Sequence, residues 1–113
     1  MSDIILAEDN SDQVKKAAEA AIHRALEIIG GKAESYAKAL CPVDTGRLRN
    51  SITHVQMDEE TEVIGTNVEY APHVELGTYK QRAQPYLRPA AENHGEEYRQ
   101  VIESELRKIQ NTP

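Results

Sequence analysis

Residues 52–66 read Ile-Thr-His-Val-Gln-Met-Asp-Glu-Glu-Thr-Glu-Val-Ile-Gly-Thr. β-Branched residues flank the polar run Asp58-Glu59-Glu60, a pattern typical of two strands joined at a polar tip. The stretch therefore predicts a β-hairpin whose second strand returns from Thr61 to Thr66. Because the sequence on either side has helical spacing, this hairpin decides the fold class.

Upstream of the hairpin, apolar residues recur every three or four positions from Val14 to Leu40, which predicts one amphipathic helix. The pair Gly30-Gly31 interrupts the good helix formers, but the apolar pattern keeps its phase across the pair. We therefore expect a single long helix rather than two. Pro42 is expected to end it, because the residue before a proline avoids the α region.

Downstream, residues 71–76 predict one or two helical turns, with Pro72 in the first turn and Gly77 as a left-handed terminator. The helical spacing returns over residues 87–109 and predicts a closing helix. The expected fold is α+β, with a long N-terminal helix, a small antiparallel sheet built on a hairpin, and a C-terminal helix packed with the first.

The length fits one domain over residues 1–113. Residues 1–10 are expected to form an extended arm before the long helix. Residues 77–86 show no periodicity and are expected to form an exposed loop. Residues 111–113 are expected to form a frayed tail.

The composition predicts a thin core. Large aliphatic residues number 23 of 113, and the chain has neither Phe nor Trp. At about 25 cal/mol per Å² of buried apolar area, such a core is small for a monomer, so we expect self-association. The single Cys41 excludes an internal disulfide and fits a reducing compartment. No apolar run approaches the roughly 20 residues of a membrane span.

The formal net charge is −6, which argues against general nucleic-acid binding. Residues 45–50 and 77–89 nevertheless contain no acid, which leaves a net −11 on the rest of the chain. One interpretation is ordinary scatter in solvated loops. The other is a polarised subunit whose basic loops meet the acidic surface of a neighbour. The cations of the two segments are Arg47, Arg49, Lys80, Arg82 and Arg88.

No pattern in the sequence predicts catalysis. The four histidines lack metal-ligand spacing, and no nucleophile elbow, phosphate-binding loop or dinucleotide fingerprint is present. Cys41 precedes Pro42 in a context typical of a buried structural thiol. We therefore expect no enzyme activity, no cofactor and no metal.

Three blocks of sequence carry a resemblance. They are Ala-Leu-Cys-Pro-Val-Asp-Thr-Gly-Arg-Leu-Arg-Asn-Ser-Ile over 39–52, Val-Ile-Gly-Thr-Asn-Val-Glu-Tyr-Ala-Pro-His-Val-Glu-Leu-Gly-Thr over 63–78, and Gln-Pro-Tyr-Leu-Arg-Pro-Ala over 84–90. In this order and spacing they resemble the tail-completion, head–tail joining family of minor tail components in long-tailed bacteriophages and prophages. The sequence departs from the pattern at Leu76, where Phe is more usual.

The resemblance implies a structural virion protein made in the host cytoplasm. Such a subunit forms a homo-oligomeric ring, expected to be a hexamer, at the neck between tail and head. Its implied partners are a head-closure or connector protein and a tail-tube or tail-terminator protein. DNA passes through the ring without being read, and no membrane is involved.

Three sets of residues follow as candidates. The motif residues expected to shape turns are Asp44, Thr45, Gly46, Arg47, Leu48, Tyr70, Glu75, Gly77, Pro85, Arg88 and Pro89. The candidate contacts with a neighbouring subunit or partner are Arg47, Arg49, Thr78, Tyr79, Lys80, Gln81 and Arg82. The candidate acids facing a DNA channel are Asp58, Glu59, Glu60 and Glu62.

Other functions stay open from the residues alone. A non-enzymatic cytoplasmic interaction module of prophage origin would remain a monomer or dimer at every concentration. The basic loops allow a weak, salt-labile contact with nucleic acid. A hydrolase has no supporting motif.

Overall fold

The computed structural model describes the backbone of residues 2–42 and 46–110 and the side chains of 12–42 and 46–109. Asp44, Thr45 and the tail expected over 111–113 therefore lie outside the described residues. The elements are α1 (Ser2–Leu40), α2 (Arg47–Ser51), β1 (Thr53–Asp58), β2 (Thr61–Gly65), α3 (Ala71–Leu76), α4 (Leu87–Glu92) and α5 (Gly95–Gln110). The α+β fold predicted from the sequence is confirmed.

The helix α1 is longer than its apolar spacing indicates. It begins at Ser2, so the extended arm expected over residues 1–10 is wrong. Residues 2–10 contain neither Gly nor Pro. Lengthening an existing helix adds one hydrogen bond per residue without a new nucleation cost, so the helix continues through them. It also runs unbroken through Gly30-Gly31, as expected.

The closing helix is interrupted. The sequence predicts one helix from Leu87, whereas the structure has α4 and α5 separated by a turn before Gly95. The hydroxyl of Tyr98 donates to the carbonyl of Ala90 at 2.6 Å, which supplies a partner at the end of α4. The ring of His94, in the turn, stacks on Tyr36 of α1 with 3.6 Å between ring centroids. These contacts stabilise the break.

The helix α5 packs antiparallel along α1. Lys32 pairs with Glu97 at 3.0 Å near one end, and Arg24 pairs with Glu105 at 3.3 Å further along. Glu105 is buried, and hydrogen bonds from Lys108 and Arg24 hold its pKa below the ordinary value. Small side chains on α1 let the two helices approach closely. The buried residues of this part of α1 are Ala21, Ala25, Leu26, Ile29 and Ala33.

No helix in the described ranges is long and apolar enough to cross a membrane.

The main core lies at the carboxyl end of α1, where the three sequence blocks meet. It consists of Ala37, Cys41, Leu48, Ile52, Val68, Ala71, Tyr86 and Ala90. Each of the helices α1 to α4 contributes a buried residue to it, and the partly buried Ile64 of β2 packs against it. Burial raises the pKa of the Cys41 thiol, as expected for a structural cysteine.

The hairpin packs a mainly polar face against α1, with Ile64 as its apolar residue. Val55 lies opposite Val63 and Gln56 opposite Glu62, so alternate residues point to opposite faces. On the inner face, His54 Nδ1 lies 3.0 Å from Glu34 Oε1 of α1. The partly buried inner residues are His54, Gln56, Glu62 and Ile64.

The outer face of the hairpin is apolar and uncovered. Val55, Met57 and Val63 are 54%, 67% and 40% exposed. A sheet with one buried face normally directs its apolar residues toward the core, and here they point away from it. The hairpin therefore has an apolar surface that its own chain does not cover.

Two side chains of the hairpin pack directly on Gly30 of α1. A Cβ at Gly30 would lie 2.6 Å from His54 Cδ2 and also clash with the carboxylate of Glu62, whereas a Cβ at Gly31 meets nothing within 4 Å. Replacing a helical Gly with Ala gains about 1 kcal/mol. We expect Gly31→Ala to raise the free energy of unfolding by that amount. Gly30→Ala should lose the gain because the His54 ring and the Glu62 carboxylate must move out of the way of the new Cβ.

Urea denaturation of the two variants measures this difference. Gly31→Ala is the matched control, since it makes the same chemical change one position along the same helix. Equal stabilisation by both substitutions would contradict the close approach at Gly30.

Candidate functional site

Glu75 joins the second and third sequence blocks. Its Oε1 accepts backbone N–H groups of Tyr86 and Leu87 at 3.0 and 2.9 Å, and its Oε2 accepts that of Arg88 at 3.2 Å. These N–H groups lie at the start of α4, where a helix has no internal partners and favours negative charge. Glu75 therefore caps α4 from α3, which accounts for a glutamate at this position.

Gly77 ends α3 and begins the loop. Its φ of 78° with ψ of 173° is not the left-handed helical conformation expected from the sequence, although a positive φ was foreseen. This extended region with positive φ is almost confined to glycine. A Cβ would lie 2.7 Å from the backbone N of Ala83. Gly77 therefore serves both the conformation and the close passage of the returning loop.

The loop over 77–86 contains neither helix nor strand, and residues 78–85 are exposed. Thr78 organises its tip, because its Oγ1 accepts the backbone N–H of Lys80 and of Gln81 at 3.2 and 3.1 Å. The N–H of Gln84 donates to the carbonyl of Val74 at 2.8 Å and returns the chain to α3. Pro85 is the last exposed residue of the loop, and Pro89 is the third residue of α4.

The burial of Tyr86 shows that the exposed loop is shorter than the sequence predicts. The sequence places it in an exposed segment, but its side chain is fully buried in the main core. Burial raises its pKa to about 12. Its hydroxyl is buried without a hydrogen-bond partner among the described atoms. The exposed loop therefore ends at Pro85.

The first sequence block forms the turn into α2. Gly46 is the N-cap of α2 with φ 80°, and Leu48 is buried in the main core. Arg47 is exposed and pairs with Glu69, with Nη2 and Oε2 3.2 Å apart. Its guanidinium also lies 5.6 Å from the ring centroid of Tyr70. Arg47, a candidate contact with another subunit, is thus engaged within its own chain.

The remaining candidate contacts are all exposed, and Thr78 and Gln81 are hydrogen-bonded to each other within the loop. Arg49, Lys80 and Arg82 are exposed and form no ion pair within the described residues. Lys80 lies over the ring of Tyr79 at 5.4 Å, and Tyr79 itself is 93% exposed. Arg88, by contrast, pairs with Glu92 on α4 at 3.2 Å. The free cations of the loop are therefore Lys80 and Arg82.

The four candidate channel acids differ in their hydrogen bonds and in the direction of their side chains. Asp58 accepts the N–H of Glu60 at 2.8 Å, and hydrogen bonds from Glu60 and Thr61 lower its pKa. Glu59 and Glu60 are exposed and unpaired within the described part of the chain. Glu62 points inward, with both carboxylate oxygens buried against α1. Grouping Glu62 with the outward-facing acids was wrong, because its place in the strand puts it on the inner face.

Glu62 predicts a pH dependence of stability. Burial raises its pKa above the ordinary 4.5, opposed by His54 and assisted by Glu27. A carboxyl with a raised folded pKa stabilises the fold below pH 4.5, and this contribution is lost as the pH rises through the raised value. We expect Glu62→Gln to be more stable than the parent at pH 7. Urea denaturation should show that the difference disappears below pH 4; an equal gain at both pH values would contradict it.

Other clusters of titratable groups are structural. Glu97 accepts the hydroxyl of Tyr36 at 2.5 Å and pairs with Lys32, which holds α5 on α1. No set of three or more His, Cys, Asp or Glu within the described ranges is placed to hold a metal ion. The features that remain for function are the exposed loop, the hairpin tip and the uncovered apolar face.

Comparison with known families identifies the class of protein. A family model described as "Bacteriophage HK97-gp10, putative tail-component" matches residues 7–77, which include α1 from Ala7 onward, α2, the hairpin and α3. The chain is therefore a bacteriophage tail component. More particularly, it belongs to the HK97-gp10-like family. The search of curated proteins and the search of solved structures gave no match.

Proposed function

We propose that this chain is a tail-completion subunit that forms a ring at the neck of the virion. The ring, expected to be a hexamer, joins the tail tube or tail terminator to the head-closure or connector protein. The role is structural and involves no catalysis. Membership of a family of bacteriophage tail components supports it.

The observation that carries the proposal is the uncovered outer face of the hairpin. A hairpin of two strands is at best marginally stable alone, and this one gives its apolar face to solvent. Contiguous exposed apolar residues on a soluble protein mark interaction surfaces. An exposed apolar face is expected in a subunit whose neighbours cover that face in an assembly. In a monomer the face would stay in contact with water and add nothing to stability.

A ring of these subunits suits the passage of DNA. Each copy adds a formal net charge of −6, so the assembly repels phosphates rather than binding them. The hairpin tip contributes only two free acids, Glu59 and Glu60. The repulsion then comes from the acidic subunit as a whole rather than from a dedicated row of tip residues.

The test is deletion of the coding sequence from the phage or prophage that carries it. Negative-stain microscopy of the lysate should show full heads and separate tails, because the joint is missing. Supplying the chain from a plasmid should restore joined particles. Heads that remain joined to tails without the chain would overturn the proposal.

A further inference from the structure

Two exposed patches on the chain combine apolar side chains with charges of one sign. The hairpin patch is Val55, Met57 and Val63 on the outer face, with Glu59 and Glu60 at the tip. The loop patch consists of Leu76, Tyr79, Lys80 and Arg82 at the end of α3 and in the loop.

The loop patch is the most exposed apolar surface among the described residues. Leu76 is 78% exposed and Tyr79 is 93% exposed. The hydroxyl of Thr78 accepts the backbone N–H groups of Lys80 and Gln81. This turn holds the side chains of Tyr79 and Lys80 outward. Two free cations accompany these two large apolar side chains, so the patch suits an apolar surface edged with acids.

The hairpin patch has the complementary character. Its apolar side chains lie on one face of a two-stranded sheet, next to two carboxylates that have no partner in the described part of the chain. Two free acids match the two free cations of the loop patch. Both surfaces thus present apolar side chains, and their charges are opposite in sign.

The patches cannot meet within one chain. The hairpin passes Gly30 and extends toward Glu27 and His23, whereas Arg82 lies beside Pro42 past the carboxyl end of α1. Gly30 and Leu40, the last residue of α1, are separated by about 15 Å along the helix axis at 1.5 Å per residue, and Pro42 lies beyond Leu40. Any contact between them must therefore join two copies.

We propose that the hairpin patch of one copy docks on the loop patch of the next. Val55, Met57 and Val63 then cover Leu76 and Tyr79, while Glu59 and Glu60 meet Lys80 and Arg82. Because the two surfaces differ, the contact is head to tail, and such contacts generate rings when the rotation closes. The inference rests on the proposed ring and specifies its joint. It assigns the tip acids to that joint rather than to a channel.

The test uses two charge-reversed full-length variants. One carries Glu59→Lys and Glu60→Lys, and the other carries Lys80→Glu and Arg82→Glu. Each variant alone opposes like charges at every joint, so sedimentation velocity should show association weakened about 100-fold or more relative to the parent. An equimolar mixture should associate again, because every hairpin patch then finds an oppositely charged loop patch on the other variant.

The control is Lys15→Glu with Lys16→Glu, which makes the same charge change as the Lys80→Glu, Arg82→Glu variant but on the exposed face of α1, and should leave association unchanged. Circular dichroism melts should show that all variants fold. Association of either variant at the strength of the parent, or a mixture that stays dissociated, would overturn the proposed joint. So would a parent chain that is monomeric at every concentration. The head–tail joining assay reports independently on the proposed function.

Discussion

Replacing Gly77 with Ala is expected to lower the free energy of unfolding by about 3 kcal/mol or more. The backbone conformation at φ 78° and ψ 173° costs a non-glycine residue of the order of 1–3 kcal/mol. The new Cβ would also lie 2.7 Å from N and 3.0 Å from Cα of Ala83. These are backbone atoms that cannot rotate away, so overpacking adds a similar cost. Thermal unfolding should show a Tm lower by roughly 10 °C or more.

Gly65→Ala is the matched control for this change. Gly65 ends β2, and a Cβ there meets nothing within 4 Å. Its effect should stay within about 1 kcal/mol. A Gly77→Ala variant as stable as Gly65→Ala would show that the loop does not return past α3 as described.

Glu75→Ala is expected to lower the free energy of unfolding by about 2–3 kcal/mol. The substitution removes the acceptor of three backbone N–H groups at the start of α4, within 2.9–3.2 Å of the carboxylate. Loss of a helix cap costs about 0.5–2 kcal/mol, and charge-assisted hydrogen bonds are worth more than neutral ones. Chemical denaturation followed by circular dichroism measures the loss.

Glu92→Ala provides the comparison, because it removes the same charge from an exposed pair with Arg88 on the same helix. Surface pairs of this kind contribute less than about 1 kcal/mol. Glu75→Gln keeps one acceptor oxygen and should fall between the parent and Glu75→Ala. If Glu75→Ala and Glu92→Ala cost the same, the cap does not contribute to stability.

The sequence predicts the helices and strands of this fold better than it predicts which of their faces meet the core. The hairpin over 52–66 and the helix over 71–76 were foreseen because strand alternation, Pro72 and Gly77 are local signals. Alternation also shows that Val55, Met57 and Val63 share a face. It does not show which face meets α1, because the chain leaves the apolar face uncovered. The usual rule that apolar residues face the core fails at this hairpin.

The candidate site was predictable in its residues but not in its contacts. Glu75, Gly77 and Arg88 were singled out through the resemblance to a family, yet the cap joins Glu75 to N–H groups up to 13 residues away. Similarly, Arg47 pairs with Glu69 across 22 residues. Pairings of this range depend on how the elements pack, which local spacing does not encode. Strand alternation places Glu62 on the face opposite Val63, but only the packing of the hairpin on α1 makes that face the inner one.

The buried Cys41 gives the protein a built-in chemical reporter of core opening. It is the chain's only thiol, it is 5% exposed, and burial raises its pKa, so a thiol reagent reacts with it only after the core opens. Rates of labelling by such a reagent therefore measure the free energy of local opening at the junction of α1, α2 and α4. No cysteine has to be introduced, and none has to be removed, to follow this junction during assembly.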